Sequence, residues 1–575
     1  MVNLYRTLSA TIKQPHFATD AALITIMAIL AGCGLVYEYL LSHYAGRILG
    51  AMETTLFAMI GIMIVAMGLG SFAARKITCP FTGFAWIEIL IAACGTLAVL
   101  IISAMFAFSQ LLPALIANWY GLPDELTPRG SFVAAIQKFT HIVPYLMGFI
   151  LGFLIGMEIP LIARVRQHMH THYLVHNTGT IYGADYIGAG IGAAVWVLFL
   201  LTMEITTAAA LTATVNLFAC VAFYLLYQQR IRYRSLLFIA QLTMAVLILL
   251  VFKYGSHWET TLEDLLYKDK VIHSMHTQYQ HLTITQRQLA STKQPIYTLY
   301  INGRTQFSSE DEHIYHEFLV FPAFTASARQ QHVLLIGGGD GLALRDILKW
   351  NPKTVTVLEL DKQIVDFFSE PFDINGKIIN QNLLKLNQYA FKDPRVKLHY
   401  GDAFVTVDHL LESHQQFDTI LVDLPDPSHP DLNKLYSAHF YSKLKHLLSG
   451  DGSIAIQSTS PYHARNAFIS IGKTVKQAGF LHVEQYHQNI PSFGQWGWTI
   501  ATLNGLSPKQ RIQQTSQLAV TGRWITLPLL LASFEFPANF YADSHHISAN
   551  RLGSKTVYQY HQQAWLIEQG LNLNN

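Results

Sequence analysis

The sequence predicts three parts in series: a multi-span α-helical membrane domain, a small antiparallel β domain, and an α/β domain with a mostly parallel sheet. Three observations predict it. Hydrophobic residues make up 51% of the chain and charged residues only 13%, where a soluble domain carries about 25% charged residues. The apolar residues gather in long runs before Lys253, after which the pattern turns polar and alternating. From His332 onward, short apolar strands alternate with helical periods, the order that builds a parallel sheet with helices on both faces.

Seven apolar runs occupy roughly 21-42, 54-74, 84-108, 139-163, 181-203, 205-227 and 235-252. A helix needs about 20 residues to cross a bilayer core. The first run follows Asp20 and a polar leader, lacks a small-residue cleavage site and is succeeded by further runs, so it reads as a retained span. Glu38, Glu88, Glu158, Asp185 and Glu204 fall in or beside these runs. A charge near the bilayer centre costs at least about 2.5 kcal/mol, so such groups are expected to face the bundle interior. Asp185 lies beside Gly188 and Gly192, small residues that let another helix approach closely. Glu88 and Glu204 are expected near span ends, in solvated positions.

Cys33, Cys79, Cys94 and Cys220 fit no metal spacing, and His168, His170 and His172 read as a polar loop, so no metal is expected. The net charge of +2 says little about partners, but no basic run suggests nucleic acid, and the apolar runs make the lipid bilayer the macroscopic partner. One set of loops carries Arg6, Lys13, Arg75, Lys76, Arg164, Arg166, Arg230, Arg232 and Arg234, the other Arg47, Arg129 and Lys138. With seven spans the positive-inside rule puts the amino terminus in the cytoplasm and the polar half outside.

The polar half begins with strand-like segments at 279-285 and 296-301, closed by the turn dipeptide Asn302-Gly303. The main domain then reads as strand 332-336, helix 341-349, strand 354-360, helix 362-369, strand 396-400, helix 404-412, strand 417-423, helix 436-448, strand 452-457, helix 462-478 and strand 480-486. The division that follows is 1-253 membrane, 254-310 β-hairpin part, 311-505 α/β domain and 506-575 carboxyl-terminal extension, with the polar tail after Gly553 expected to be loosely ordered.

Ligands of such sheets bind beyond the carboxyl ends of the strands, and acidic residues recur there. Gly337-Gly338-Gly339-Asp340-Gly341 follows the first strand, Glu359 and Asp361 the second, Asp402 the third, and Asp423 with Asp426 the fourth. Glycines let a backbone approach a ligand, but Asp340 would repel a phosphate. The expected guest is a sulfonium nucleoside, an amine, or both. A carboxylate after the second strand commonly holds ribose hydroxyls, which assigns Glu359 to a nucleoside. So many acids on one rim repel each other unless a cation compensates them.

These segments, with Asp311-Glu312-His313-Ile314-Tyr315-His316-Glu317 before them and Leu435-Tyr436-Ser437 after them, resemble the polyamine aminopropyltransferases, and spermidine synthase in particular, over about residues 270 to 505. The membrane half resembles the bacterial multi-pass variant of that family. The resemblance implies a Rossmann-like, methyltransferase-type domain and a transferase of polyamine biosynthesis. Its substrates would be putrescine and decarboxylated S-adenosylmethionine, the latter a co-substrate and no cofactor being required. It assigns Asp423 as proton acceptor, Tyr315, His316, Asp340 and Asp426 to the amine, and Gln280, Gln306, Glu359, Asp402, Ala403 and Pro430 to the nucleoside. It places Gln495-Trp496-Gly497-Trp498 at the far end of the amine groove.

Leu424 and Pro425 depart from the small polar residues usual between the two aspartates, and 371-392 and the tail after Gly505 fit the soluble family poorly. A methyltransferase and a membrane polyamine sensor or transporter are the rival readings; S-adenosylmethionine carries a carboxylate that Asp340 and Asp423 would repel. Because the nucleoside is made in the cytoplasm, the sequence reading leans to a cytoplasmic catalytic half in the cell membrane, against the loop count. A homo-oligomer is left open.

Overall fold

The computed structural model describes residues 17–49, 52–121, 131–170 and 176–568, apart from 266, 268, 278, 289–293 and 375. Arg6, Lys13, Arg129 and His172 lie outside the described residues. The chain forms two compact units, 1–278 and 279–575.

The first unit contains α1 (Phe17–Leu49), α2 (Met52–Ala73), α3 (Pro80–Trp119), α4 (Ser131–Ile155), α5 (Glu158–Met169), α6 (Asn177–Leu198), α7 (Ile205–Tyr227) and α8 (Arg234–Asp264), and ends with strand β1 (Lys270–His276). Among the described residues, seven segments here are long and apolar enough to cross a membrane. The third predicted run is part of a 40-residue helix, because apolar residues continue to Trp119 and Pro113 sits inside the helix without ending it. The fourth is broken between Ile155 and Glu158, at a glycine whose missing side chain lets α4 press on the Met67 backbone.

Gly188 and Gly192 serve the close approach their size predicts. A Cβ at either would collide with the α1 backbone at Ala28 and Gly32. Arg166 pairs with Asp20 at 2.6 Å, fastening α5 to the start of α1. Glu204 is exposed just before α7. Glu88 is different from the expectation of a solvated span end. Because α3 starts at Pro80, Glu88 falls two turns inside it, fully buried, and takes a hydrogen bond from Asn216 Nδ2 at 3.2 Å.

In the second unit, β2 (His281–Arg287), β3 (Ile296–Ile301) and β4 (Arg304–Ser308) pair antiparallel. Asn302 and Gly303 both take positive φ, as a two-residue hairpin turn requires. Next come α9 (Glu312–Ala326), β5 (His332–Gly337), α10 (Leu342–Leu348), β6 (Thr354–Glu359), α11 (Lys362–Ser369), β7 (Asp373–Ile374), β8 (Lys377–Ile378), α12 (Gln381–Leu386), β9 (Val396–Tyr400), α13 (Ala403–Glu412) and β10 (Phe417–Asp423). The unit closes with α14 (Ala438–Leu447), β11 (Leu448–Gln457), α15 (Arg465–Gln477), β12 (His482–Ile490), β13 (Gly494–Thr502), α16 (Pro508–Gln513), α17 (Leu527–Ala532) and α18 (Thr556–Glu568).

The seven-stranded sheet has the order β12-β13-β11-β10-β5-β6-β9. Its strands from β11 to β9 are parallel, whereas β13 runs antiparallel between β11 and β12. The strand pattern read from sequence lacks β13 and the helix α9. Both are buried on more than one side, so neither shows a clean alternation of polar and apolar residues. The chain leaves β5 toward β6 and β9 and returns to place β10 on the other flank of β5, making a switch point between β5 and β10. The described part of the tail after Gly553 is helical rather than loose: α18 runs to Glu568 and buries Val557 in the core.

Candidate active site

Asp423 ends β10 beside Gly337, its register partner at the end of β5. Gly337 has φ 83° and a Cβ there would collide with the Asp423 carbonyl, so the fit of the two strand ends requires glycine. A Cβ at Gly339 would lie 2.7 Å from Ile364 and 3.0 Å from Glu359 Oε2. The loop thus carries Asp340 between two acidic strand ends. Asn387, from the segment 371-392 that fits the soluble family poorly, donates to the Asp340 carbonyl at 3.0 Å and braces it.

Helix α9 contributes the opposite wall. Tyr315 OH donates to Asp423 Oδ1 at 2.7 Å. One residue on, His316 Nδ1 lies 2.9 Å from Glu312 Oε2, and Glu312 is held from its other side by Arg345 at 2.8 and 3.0 Å. Burial opposes a charged imidazole, but the Glu312 bond, with Asp340 and Asp423 near, raises His316 to about 9. Burial likewise opposes the Glu312 carboxylate, and His316 and Arg345 overcome it to hold its pKa at about 2. Beside Asp340 and Asp423 the protein thus places one fixed group, His316, whose charge favours their ionised forms.

Burial raises Asp340 and lifts Asp423 to about 6; His316 opposes both shifts, and for Asp423 the Asp340 charge adds to the rise while the Tyr315 bond resists it. Glu359 is raised to about 7 by burial, against the backbone N–H groups of Asp361 and Leu360 that bond its Oε1. Asp426 goes the other way. Burial would raise it, but His561 at 3.2 Å from Oδ2 and Gln457 Nε2 at 2.7 Å from Oδ1 lower it.

The remaining predicted residues make separate contacts of their own. Gln280 Nε2 donates to Asp361 Oδ2 at 3.0 Å. Asp402 caps α13 through the Phe404 N–H at 3.0 Å and pairs with Lys434, and Ala403 is the buried first residue of that helix. Pro430 opens a short 3-10 turn to Tyr436. Gln306 Nε2 donates to the Arg304 carbonyl at 3.4 Å. Trp498 is fully buried with its ring centroid 5.5 Å from that of Tyr315, so it backs the tyrosine.

Sequence reasoning passed over several groups. Glu312, inside a quoted motif but given no role, stands four residues before the assigned His316 on one helix face, a legible spacing. Tyr436, inside a quoted motif, donates its hydroxyl toward Pro425 O and Gln457 Oε1 at 2.8 and 2.9 Å and so steadies the loop between the two aspartates. Nothing local marks His561, 135 positions from Asp426.

The sequence profile of the spermine/spermidine synthase domain matches residues 312–512. The polyamine aminopropyltransferase of Shewanella oneidensis is 55% identical over 96% of this chain and 96% of its own. Polyamine aminopropyltransferase 1 of Streptomyces coelicolor is 33% identical, again over 96% of each chain. A spermidine synthase crystal structure, in complex with the transition-state analogue AdoDATO, aligns over 48% of this chain and 88% of its own at 21% identity and a TM-score of 0.42. Full-length likeness to the first two relatives, in both units, shows that the chain belongs to the polyamine aminopropyltransferases.

Proposed function

We propose that this enzyme transfers the aminopropyl group of decarboxylated S-adenosylmethionine to putrescine, giving spermidine and methylthioadenosine. The observation that carries this reading is the Tyr315–Asp423 contact beside Asp340 at the sheet's switch point. The attacking nitrogen forms a bond to the carbon next to the sulfonium, the carbon–sulfur bond breaks, and its electron pair returns to sulfur as a neutral thioether. The proton leaves the nitrogen for Asp423.

An alkylamine has a pKa near 10.4, and only the free base attacks. Asp423 at about 6 is a stronger base than an ordinary carboxylate, yet it still leaves much of the barrier to orientation, which supplies up to about 7 to 11 kcal/mol in favourable cases. Tyr315 fixes the carboxylate that must receive the proton. His316, kept cationic by Glu312, allows Asp340 and Asp423 to be ionised side by side. Glu359 holds the ribose, Asp402 and Ala403 face the base, and Gln280, Gln306 and Pro430 complete the nucleoside end. Asp340 and Asp426 receive the ammonium groups of the acceptor.

The apolar helices anchor the chain in the cell membrane, and the cytoplasmic origin of the nucleoside favours a cytoplasmic catalytic unit, against the loop charges, which with seven spans put it outside; a reporter fused after Asn575 tests the side. The reaction is tested by giving the purified full chain both sulfonium nucleosides with a diamine series. Aminopropyl transfer from the decarboxylated nucleoside supports the proposal. Methyl transfer without aminopropyl transfer overturns it.

A further inference from the structure

The carboxyl-terminal extension reaches the acceptor end of the site. Its path is fixed at two places. The Glu317 carboxylate, next to His316, accepts the backbone N–H groups of Arg523, Trp524 and Ile525. Asn550 then binds the carbonyls of Asn433 and Tyr436 at 2.9 and 3.0 Å, and Asn433 Oδ1 accepts the Tyr558 N–H. Helix α18 therefore rides on the turn that follows Asp426.

From that helix His561, 1% exposed, puts Nε2 3.2 Å from Asp426 Oδ2. Trp565, one turn later, brings its indole N–H to the same Nε2 at 3.1 Å. These neighbours make opposite demands. A carboxylate needs a proton on Nε2, and an indole N–H, which only donates, needs a lone pair there. One tautomer serves Asp426 and the other serves Trp565. The Arg304 guanidinium lies 5.8 Å from the Trp565 ring centroid and adds its charge near Asp426.

We propose that His561 is a specificity-determining residue that competes with the acceptor's second ammonium for Asp426, Trp565 taking the imidazole when it is displaced. This rests on Asp426 being the seat of that ammonium. The competition lowers the affinity of diamines and leaves an amine with a single nitrogen indifferent. It also gives the two side chains opposite effects. Removing His561 frees Asp426 for the ammonium, whereas removing the Trp565 N–H leaves His561 no alternative to Asp426.

The test is calorimetric titration of putrescine, and of butylamine as its one-nitrogen counterpart, onto the full chain loaded with methylthioadenosine. His561→Ala is expected to tighten putrescine binding by about threefold or more, Trp565→Phe to weaken it by a similar factor, and His561→Gln, which keeps a donor, to stay near the parent. Butylamine should follow neither change. Shifts of the same sign in both variants, or equal shifts for both amines, would show a merely structural contact and overturn the inference. Because the readout is binding, a parent chain that binds putrescine with these signs but transfers nothing refutes the proposed reaction and leaves this inference standing.

Discussion

Tyr315 and Asp423 are joined by a hydrogen bond of 2.7 Å from the phenol to Oδ1, and that bond holds the Asp423 pKa below where burial and Asp340 would otherwise set it. A base must be ionised to accept a proton, so turnover should fall as pH drops through about 6. Tyr315→Phe removes the bond. The acidic limb of the pH–rate profile should then move to higher pH, and kcat at neutral pH should fall by about tenfold. An unmoved limb would separate Asp423 from the rate.

Glu312 sits between His316 and Arg345, nearly inaccessible to solvent. Glu312→Gln removes the carboxylate that His316 and Arg345 share and leaves Arg345 with Asp346, at 3.0 Å. Breaking a buried pair costs about 3–5 kcal/mol, and the remaining partner puts the expected loss at the lower end of that range. Denaturant unfolding should show that loss. The sign with pH is fixed by the shifts. His316, raised from 6.5 to about 9, contributes stability fully present below pH 6.5 and lost as pH rises through 9. Glu312, lowered from 4.5 to about 2, contributes stability present above pH 4.5 and lost as pH falls toward 2. An E312Q variant as stable as the parent at neutral pH refutes the network.

Glu359→Gln tests the nucleoside end. In the proposed role of Glu359 as acceptor of the ribose hydroxyls, a neutral amide in its place forfeits a charge-assisted bond of about 1.5–3 kcal/mol, so the nucleoside Kd should rise tenfold or more. With Glu359 titrating at about 7, nucleoside affinity in the parent should decline as pH falls through that value and the variant should lose the decline. Equal profiles would remove Glu359 from the ribose.

Much of this site was legible because its acids stand at strand ends, where a few local residues state both the element and its terminus. Gly337 to Gly341, Glu359, Asp402 and Asp423 are of that kind. The apolar spans were legible by length. What escaped depends on partners distant in sequence: Arg345 reaching Glu312 across 33 positions, His561 reaching Asp426 across 135, and β13 entering the sheet between β11 and β12. Glu88 was misplaced because an apolar run does not mark where its helix starts, and Pro80 adds a turn before it.

The most direct measurement is turnover and nucleoside binding by Asp423→Asn, made on the full chain. Asparagine keeps the shape and the contact with Tyr315 but cannot take the amine proton, and loss of a general base costs about 10²–10⁴ in rate. Nucleoside affinity should stay within about twofold of the parent while methylthioadenosine release falls by that factor. Release at the parent rate would contradict the role of Asp423 and, with it, the proposed chemistry.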